Sequence, residues 1–190
     1  MKPDSGIWIA APWLIFMAYW LIAGLRTNQT ARQEPVSDRL ARLIVMIIAF
    51  LLLYEKESVL GLLNRRFVPP ADWIFALGSA LSFLGVGFAI WARYHIGKYW
   101  SSTVSLREGH ELIRTGPYAR IRHPIYTGLL LTVFGTALAV GRYRALCAFV
   151  IVLLGFIWKS KREEALLAGQ FGAKFEEHRR HTGFFLPKFS

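Results

Sequence analysis

The chain has 190 residues, of which 54% are Ala, Val, Ile, Leu, Met, Phe, Trp, Tyr or Cys and only 18% are charged. That composition excludes a disordered chain and carries more apolar sequence than the core of a soluble domain of this length can hide. Lys and Arg outnumber Asp and Glu by 23 to 12, a formal charge of +11, but zinc-finger spacing, RNA-binding aromatic motifs and basic coiled-coil regions are missing, so no nucleic-acid partner is expected.

Taken in chain order, the first apolar block is Ile7 to Leu25, which has no charged residue. It is longer than the apolar region of a cleaved signal peptide and lacks a small-x-small cleavage site, so it reads as a retained first membrane span. The second block, Leu43 to Tyr54, has 12 residues. It reaches spanning length if Arg39 and Arg42 snorkel at one end, or if the helix runs on through Glu55 to Glu57 into Val59 to Leu63. After the break at Pro69 and Pro70, Trp73 to Ala92 forms a third span, with Gly78, Ser82, Gly85 and Gly87 as places where neighbouring helices approach closely. Pro124 to Val140 and Ala145 to Trp158 follow, joined by the short turn Gly141 to Arg144, and this pair is an antiparallel hairpin. Cys147 is the chain's single cysteine. It allows no internal disulfide and no thiolate zinc site, and no metal centre is expected.

The fold class expected is therefore all-α, a polytopic membrane bundle of about five transmembrane helices. Residues 1–92 supply three spans, and residues 93–190 supply a loop, the hairpin and a tail, as one integrated domain. Five spans put the termini on opposite sides. One side collects 17 Lys and Arg, from 26–42, 93–122 and 159–190, and the other collects 6. That asymmetry predicts a cytoplasmic C-terminus. Whether the membrane is a bacterial inner membrane or an endoplasmic reticulum is left open, as is the oligomeric state. The partner expected from the spans is the bilayer itself.

Chemistry is to be sought on the basic side. The connection from Arg93 to Arg122 is longer than a membrane hairpin needs, and its Trp, Leu, Ile and Tyr content argues against disorder. It ends in Thr115-Gly116-Pro117-Tyr118 and then Arg122-His123-Pro124-Ile125-Tyr126. Pro124 suits the first turn of a helix and places His123 at the cap. The amides of that turn, the positive helix end and Arg122 together make an anion site at the membrane surface. Taken singly, the same residues would serve as a helix start, a headgroup contact and interfacial aromatics. In the tail, Lys159 to Glu164 continues the fifth span without a breaker. Lys159 and Glu163 are spaced as a surface pair, yet a carboxylate there also lies beside the mouth of the fourth span. Ala165 to His181 reads as one amphipathic helix on the bilayer or over the site. His178 and His181 read as surface histidines, and Gly183 to Phe189 as an apolar end piece.

The string Gly116-Pro117-Tyr118-x3-Arg122-His123-Pro124-x-Tyr126-x-Gly128 resembles the isoprenylcysteine carboxyl methyltransferase family of integral membrane enzymes. His110-Glu111-Leu112-Ile113 precedes it, and Glu163-Glu164 and Phe171-Gly172 follow the hairpin. The resemblance covers about residues 93–189. It implies an enzyme using S-adenosylmethionine. His110, Glu111, Leu112, Ile113, Tyr118, His123, Pro124, Ile125 and Tyr126 would contact that cofactor, with Glu164 as the acidic partner of its ammonium. Arg122, Lys159 and Glu163 would act on the acceptor, which the family makes a carboxylate such as that of an isoprenylcysteine. The lipophilic methyl acceptor that the resemblance implies as a partner would be admitted sideways from the lipid by the first three helices. The sequence departs from the family pattern where relatives place an arginine one turn before the paired acids, since Lys159 and Ser160 stand there. A lysine cannot grip a carboxylate with two parallel hydrogen bonds. Methylation of a phospholipid or of a small lipophilic acceptor at N, O or S is the alternative with the same cofactor. An NADPH-dependent membrane reductase and a nonenzymatic membrane protein are the alternatives without it.

Overall fold

Uncharged, apolar sequence makes the helices, and punctuation by Gly, Pro and charge ends them. In the computed structural model, residues 5–25, 36–54, 58–97 and 112–189 are described. Six α-helices run through them: α1 (Ser5–Leu25), α2 (Val36–Tyr54), α3 (Asp72–Ile96), α4 (Pro124–Val140), α5 (Tyr143–Phe171) and α6 (Ala173–His181). Among the described residues the only β-pairings are two isolated bridges. Three helices, α1, α3 and α5, are long and apolar enough to cross a membrane, and Leu43–Tyr54 of α2 and the whole of α4 are shorter apolar helices. The five expected apolar helices are thus present, in an all-helical polytopic membrane bundle.

The expectations for α2 and for the tail are refined. Helix α2 begins before Arg39 and stops at Tyr54, and Ser58–Asn64 is a separate 3-10 helix broken at Gly61. The extension is therefore at the arginine end. Helix α5 continues past Trp158 as expected, but the single helix expected over 165–181 is two. Gly172, at φ +50°, closes α5 and opens α6, a backbone state that costs glycine little.

The helices alternate in direction. Tyr54, at the end of α2, donates to the carbonyl of Ile9 near the start of α1 (3.4 Å). At that same end the α4–α5 turn pairs with the segment before α3, through Phe67 N to Gly141 O and Tyr143 N to Arg65 O, both 3.1 Å. The mouth of α4 and the polar extension of α5 therefore lie together at the opposite end, with the last turn of α3.

Helices α3 and α4 form the closest contact, and small residues cause it. A Cβ on Gly78 would lie 2.5 Å from the backbone nitrogen of Ala139, one on Gly85 2.5 Å from Gly128 O, and one on Gly135 2.5 Å from Gly78 O. Polar side chains bridge the seam: Ser82 Oγ donates to the Thr132 carbonyl (3.1 Å) and lies 3.2 Å from Thr136 Oγ1, and Trp13 of α1 donates to Thr136 Oγ1 (3.1 Å). Gly78, Ser82 and Gly85 thus act as expected, whereas Gly87 meets no neighbour within 4 Å. On the other flank of α4, Leu130, Val133 and Ala137 join Ile9, Trp13, Ala49, Leu53 and Val152 in one core. An apolar cleft remains there, lined by Trp13, Phe16, Phe50, Leu129, Val133 and Phe156 among others. Helices α1, α2, α4 and α5 build it. Of the three helices expected to shape an entrance, α1 and α2 line this cleft, whereas α3 packs on the far side of α4.

Candidate active site

His123 is the N-cap of α4 and Pro124 its first residue, as the Pro-at-the-start rule requires. Before it, Gly116–Ala119 forms a 3-10 turn that buries Pro117 and Tyr118. Only glycine fits at 116, where φ is +58° and a Cβ would strike the ring of His95 at 2.6 Å. His95 Nε2 meets Thr115 Oγ1 at 2.9 Å and its ring stacks on Tyr118. The last turn of α3 thereby holds the approach to α4.

Both carboxylates of α5 face this mouth. Glu164 Oε1 accepts Nε of Arg122 (2.5 Å) and lies 3.2 Å from Nε2 of His123. Glu163 Oε1 accepts the hydroxyl of Tyr126 (2.6 Å), and its Oε2 lies 3.6 Å from Nδ1 of His123. The two ring nitrogens of His123 therefore each address one of the two acids. Lys159 Nζ is 3.8 Å from Glu163 Oε1 and 5.3 Å from the centre of the Tyr126 ring. The pair expected at i, i+4 exists, but it is half-buried and belongs to the site. Tyr126 lies between His123 and Phe156, stacked on both with ring centres 5.7 and 4.7 Å away. Phe156 in turn lines the apolar cleft, so cleft and carboxylates meet across one tyrosine.

Glu164 lies six residues beyond Trp158, about 9 Å past the apolar part of α5 at the helical rise. Burial pushes its carboxyl up, but hydrogen bonds from His123 and Arg122, with their charges, more than offset this and hold it below the usual carboxylate range. Burial pushes the Tyr118 hydroxyl up, and the charge of Glu163 adds to this against the opposing charge of Arg93. Tyr118 is thus a neutral phenol at any physiological pH.

Of the other expected site residues, Leu112, Ile113 and Ile125 lie within the described residues, and Ile113 and Ile125 pack in one cluster with Tyr118, Tyr126 and Leu129. His110 and Glu111 lie outside the described residues.

Two features went unread in the sequence. The tail after α6 pairs in parallel with the segment before α4. Arg122 N donates to Gly183 O (2.9 Å), Gly183 N to Arg120 O (3.0 Å) and His123 N to Phe184 O (3.3 Å). Arg122 Nη1 reaches the carbonyls of Thr182 (2.5 Å) and Arg179 (3.3 Å), and Thr127 Oγ1 donates to Phe185 O (2.8 Å). Phe184 and Phe185 place their rings edge-on to His123. The end piece is thus a strap over the α4 mouth. The sequence signal was Gly183, where a Cβ would sit 1.8 Å from Leu186 O, followed by two aromatics. The second is His178, a correction. It is buried, and burial with the charges of Arg114 and Arg122 brings its pKa down to about 4. His181 is exposed, as expected.

The geometry brings Arg122, His123, Tyr126, Lys159, Glu163 and Glu164 together at the end of an apolar cleft. Comparison with known proteins bears on that arrangement. Over 114 residues the chain is 32% identical to the protein-S-isoprenylcysteine O-methyltransferase of Schizosaccharomyces pombe, which covers 57% of this chain and 48% of the relative. It is 33% identical over 124 residues to the cobalt-zinc-cadmium resistance protein CzcN of Cupriavidus metallidurans, covering 62% of this chain and 53% of the relative. The chain thus spans about half the length of these curated relatives. The solved structure of the eukaryotic intramembrane Ras methyltransferase ICMT superposes on 98% of this chain and 69% of that one, with a TM-score of 0.61 and 20% identity, a likeness of fold. The resemblance to isoprenylcysteine carboxyl methyltransferases read from the Gly116 to Gly128 string is therefore borne out. Residues 73–174, 102 of the 190 and including α3, α4 and the carboxylates of α5, match the model of the phospholipid methyltransferase family, and the chain belongs to that family.

Proposed function

We propose that the protein is an integral membrane methyltransferase that moves the methyl group of S-adenosylmethionine to a lipophilic acceptor, most suitably a carboxylate such as that of an isoprenylcysteine, at a site facing the cytoplasm. The observation that carries this reading is the contact of both α5 carboxylates with the mouth of α4. A bilayer-exposed helix end would otherwise have no reason to gather two acids, two cations and a stacked His-Tyr-Phe column.

The residues present fit the cofactor. Glu164 uses Oε1 for Arg122 and His123, which leaves Oε2 for an ammonium. The amide of Ile125 precedes the first helical bond of α4, from Thr127 N to His123 O (3.0 Å), and together with the positive helix end suits a carboxylate. Aromatic faces at Tyr126 and Tyr118 suit a positively charged sulfonium. When bound, S-adenosylmethionine supplies an electrophilic methyl carbon.

The chain's own groups position and shield. Arg122, fastened to Glu164 and to the strap, acts as a positioning residue. This differs from the role in gripping the acceptor expected for it, because Nε and Nη1 are already engaged. Lys159, paired with Glu163 and lying over the Tyr126 ring, is the cation suited to an acceptor carboxylate arriving from the lipid. Tyr126 and His123 hold Glu163 in place. An ionised carboxylate needs no general base, so catalysis here is orientation and exclusion of water by Phe156, Phe184 and Phe185. Agreement with the relative named a protein-S-isoprenylcysteine O-methyltransferase supports a carboxylate acceptor. The family's description supports a phospholipid amine instead, and the cleft serves either lipid chain.

The test is transfer of a labelled methyl group to prenylcysteines, phosphatidylethanolamine and lipophilic acids by purified protein in vesicles. A product confined to carboxylates, sensitive to Lys159→Ala, is expected. Product only on the phospholipid amine would move the assignment to that acceptor, and no product on any acceptor would overturn the proposal.

A further inference from the structure

The end of the bundle opposite the carboxylates holds a second concentration of charge. Arg65 and Arg66 precede α3, and Arg142 and Arg144 bracket the start of α5. They are brought together by the short pairing of Phe67 N with Gly141 O and Tyr143 N with Arg65 O. Arg142 Nη1 donates to the carbonyl of Asn64 (2.6 Å) and reaches its side-chain oxygen at 3.2 Å. That same oxygen accepts Nε of Arg144 (3.1 Å), whose Nη1 donates to the Leu52 carbonyl. Arg66 donates from Nε to the Val68 carbonyl (3.1 Å). Its guanidinium lies against Gly141, where a Cβ would come within 2.5 Å of Nη2.

Two things separate this cluster from Arg114, Arg122 and Arg179 at the other end. Arg114, Arg122 and Arg179 each pair with a glutamate. Arg65, Arg66 and Arg142 meet no carboxylate in the described structure; their bonds are to carbonyl and amide oxygens or to none. The cluster also lies where apolar surface ends. Leu62 is 69% exposed and Trp73 68% exposed beside it, and Tyr143 stands half-exposed against Phe67. In a bilayer those side chains belong among acyl chains and at the interface, which puts the guanidinium groups at headgroup depth. Helix α4, 17 residues and so about 25 Å long, separates them from the carboxylates.

We propose that Arg65, Arg66 and Arg142 form a site for the phosphodiester of an anionic lipid, on the membrane surface opposite the carboxylate pair. Guanidinium groups offer paired donors that match two phosphate oxygens. The turn that carries them is cross-linked through backbone and Asn64, so little freedom is lost on binding. A lipid is favoured over a soluble anion because the exposed leucine and tryptophan flank the arginines and would take up its chains.

Native mass spectrometry of the full chain in mild detergent, offered phosphatidylglycerol and phosphatidylcholine, tests this. One phosphatidylglycerol should stay bound preferentially, and Arg65→Gln with Arg66→Gln should lower its retention about tenfold while leaving phosphatidylcholine unchanged. Inorganic phosphate should not displace the lipid; displacement by phosphate would move the assignment to a soluble anion. Equal retention of the two lipids, or equal retention by the variant, would overturn the proposal. If the double variant melts early, Arg65→Gln alone is the probe, since among the described residues Arg65 makes no side-chain bond that supports the fold. The carboxylate site is untouched in either variant, so failure here leaves the methyltransferase reading standing.

Discussion

Helix α4 has two unlike flanks. Against α3 it presents Gly128, Thr132 and Gly135, and the two backbones approach so closely that no Cβ fits at either glycine. Against α5 it presents an apolar cleft and, at its mouth, His123 and Tyr126 bonded to Glu163 and Glu164. The difference shows how a membrane bundle can hold charges in place. Lipid gives helices no hydrophobic reason to associate, so close contact between small residues braces one side. The other side can then keep a cleft, and use polar groups whose pairing would be costly to lose, because its position does not depend on tight packing.

Substitutions at the two flanks should separate these roles. The largest effect is expected for Gly85→Leu, which drives a side chain into Gly128 O and Thr132. Overpacking against backbone exceeds the usual cost of about 1–3 kcal/mol, and folded protein in detergent should be lost. On the other flank, Arg122→Ala leaves Glu164 and His123 without their cation and removes the side-chain bonds of Arg122 to the strap. A loss of about 3 kcal/mol is expected, seen as a lower Tm, with cofactor binding down at least about a hundredfold.

Acid should break the carboxylate flank selectively. His178 has a pKa of about 4 in the folded protein against an ordinary 6.5. The folded state therefore takes up this proton less readily than the unfolded chain does. Its neutrality is without penalty above about pH 6.5, and stability falls between pH 6.5 and 4 by up to about 3 kcal/mol before levelling. Glu164 has the opposite chemistry and the same sign. Its lowered pKa stabilises the fold above the ordinary carboxylate range and ceases to do so as pH falls through its folded value. Tm measured from pH 7 to 4 should decline, and a flat profile would contradict the burial of His178. Tyr126→Phe, which removes one hydrogen bond to Glu163, should cost about 1 kcal/mol or up to tenfold in turnover. The smallest effect belongs to Gly87→Ala. It lies on α3 among the sensitive glycines but faces open space, and should stay within about 0.5 kcal/mol in Tm measurements.

The bundle was readable because apolar length and proline breaks are local signals. The mouth of α4 was readable because Arg122-His123-Pro124-x-Tyr126 combines a helix start with side chains that do not suit lipid. Glu163 and Glu164 were legible as candidates because the hairpin had to return α5 beside that mouth. What escaped came from contacts between residues far apart in sequence. The strap of 182–188 pairs with 120–123 across some 60 residues, and nothing in Thr182-Gly183-Phe184-Phe185 names its partner. His178 looked exposed because its neighbours on α6 are charged, and nothing local shows that Arg114 and Arg122 arrive from the loop to bond that helix at Lys174, Glu177 and Arg179. Gly87 shared the composition of Gly78 and Gly85 but not their face. The break at Gly172 was missed because a single glycine within a helical pattern is compatible with continuation until its φ is known.

The most direct measurement is a calorimetric titration of the purified protein with S-adenosylmethionine and, separately, with NADPH, repeated on Glu164→Gln. Saturable binding of S-adenosylmethionine alone is expected, weakened at least about tenfold in the variant, which loses the charge facing an ammonium. Binding of NADPH alone, or S-adenosylmethionine affinity indifferent to Glu164, would contradict a cofactor site built on the meeting of α4 and α5.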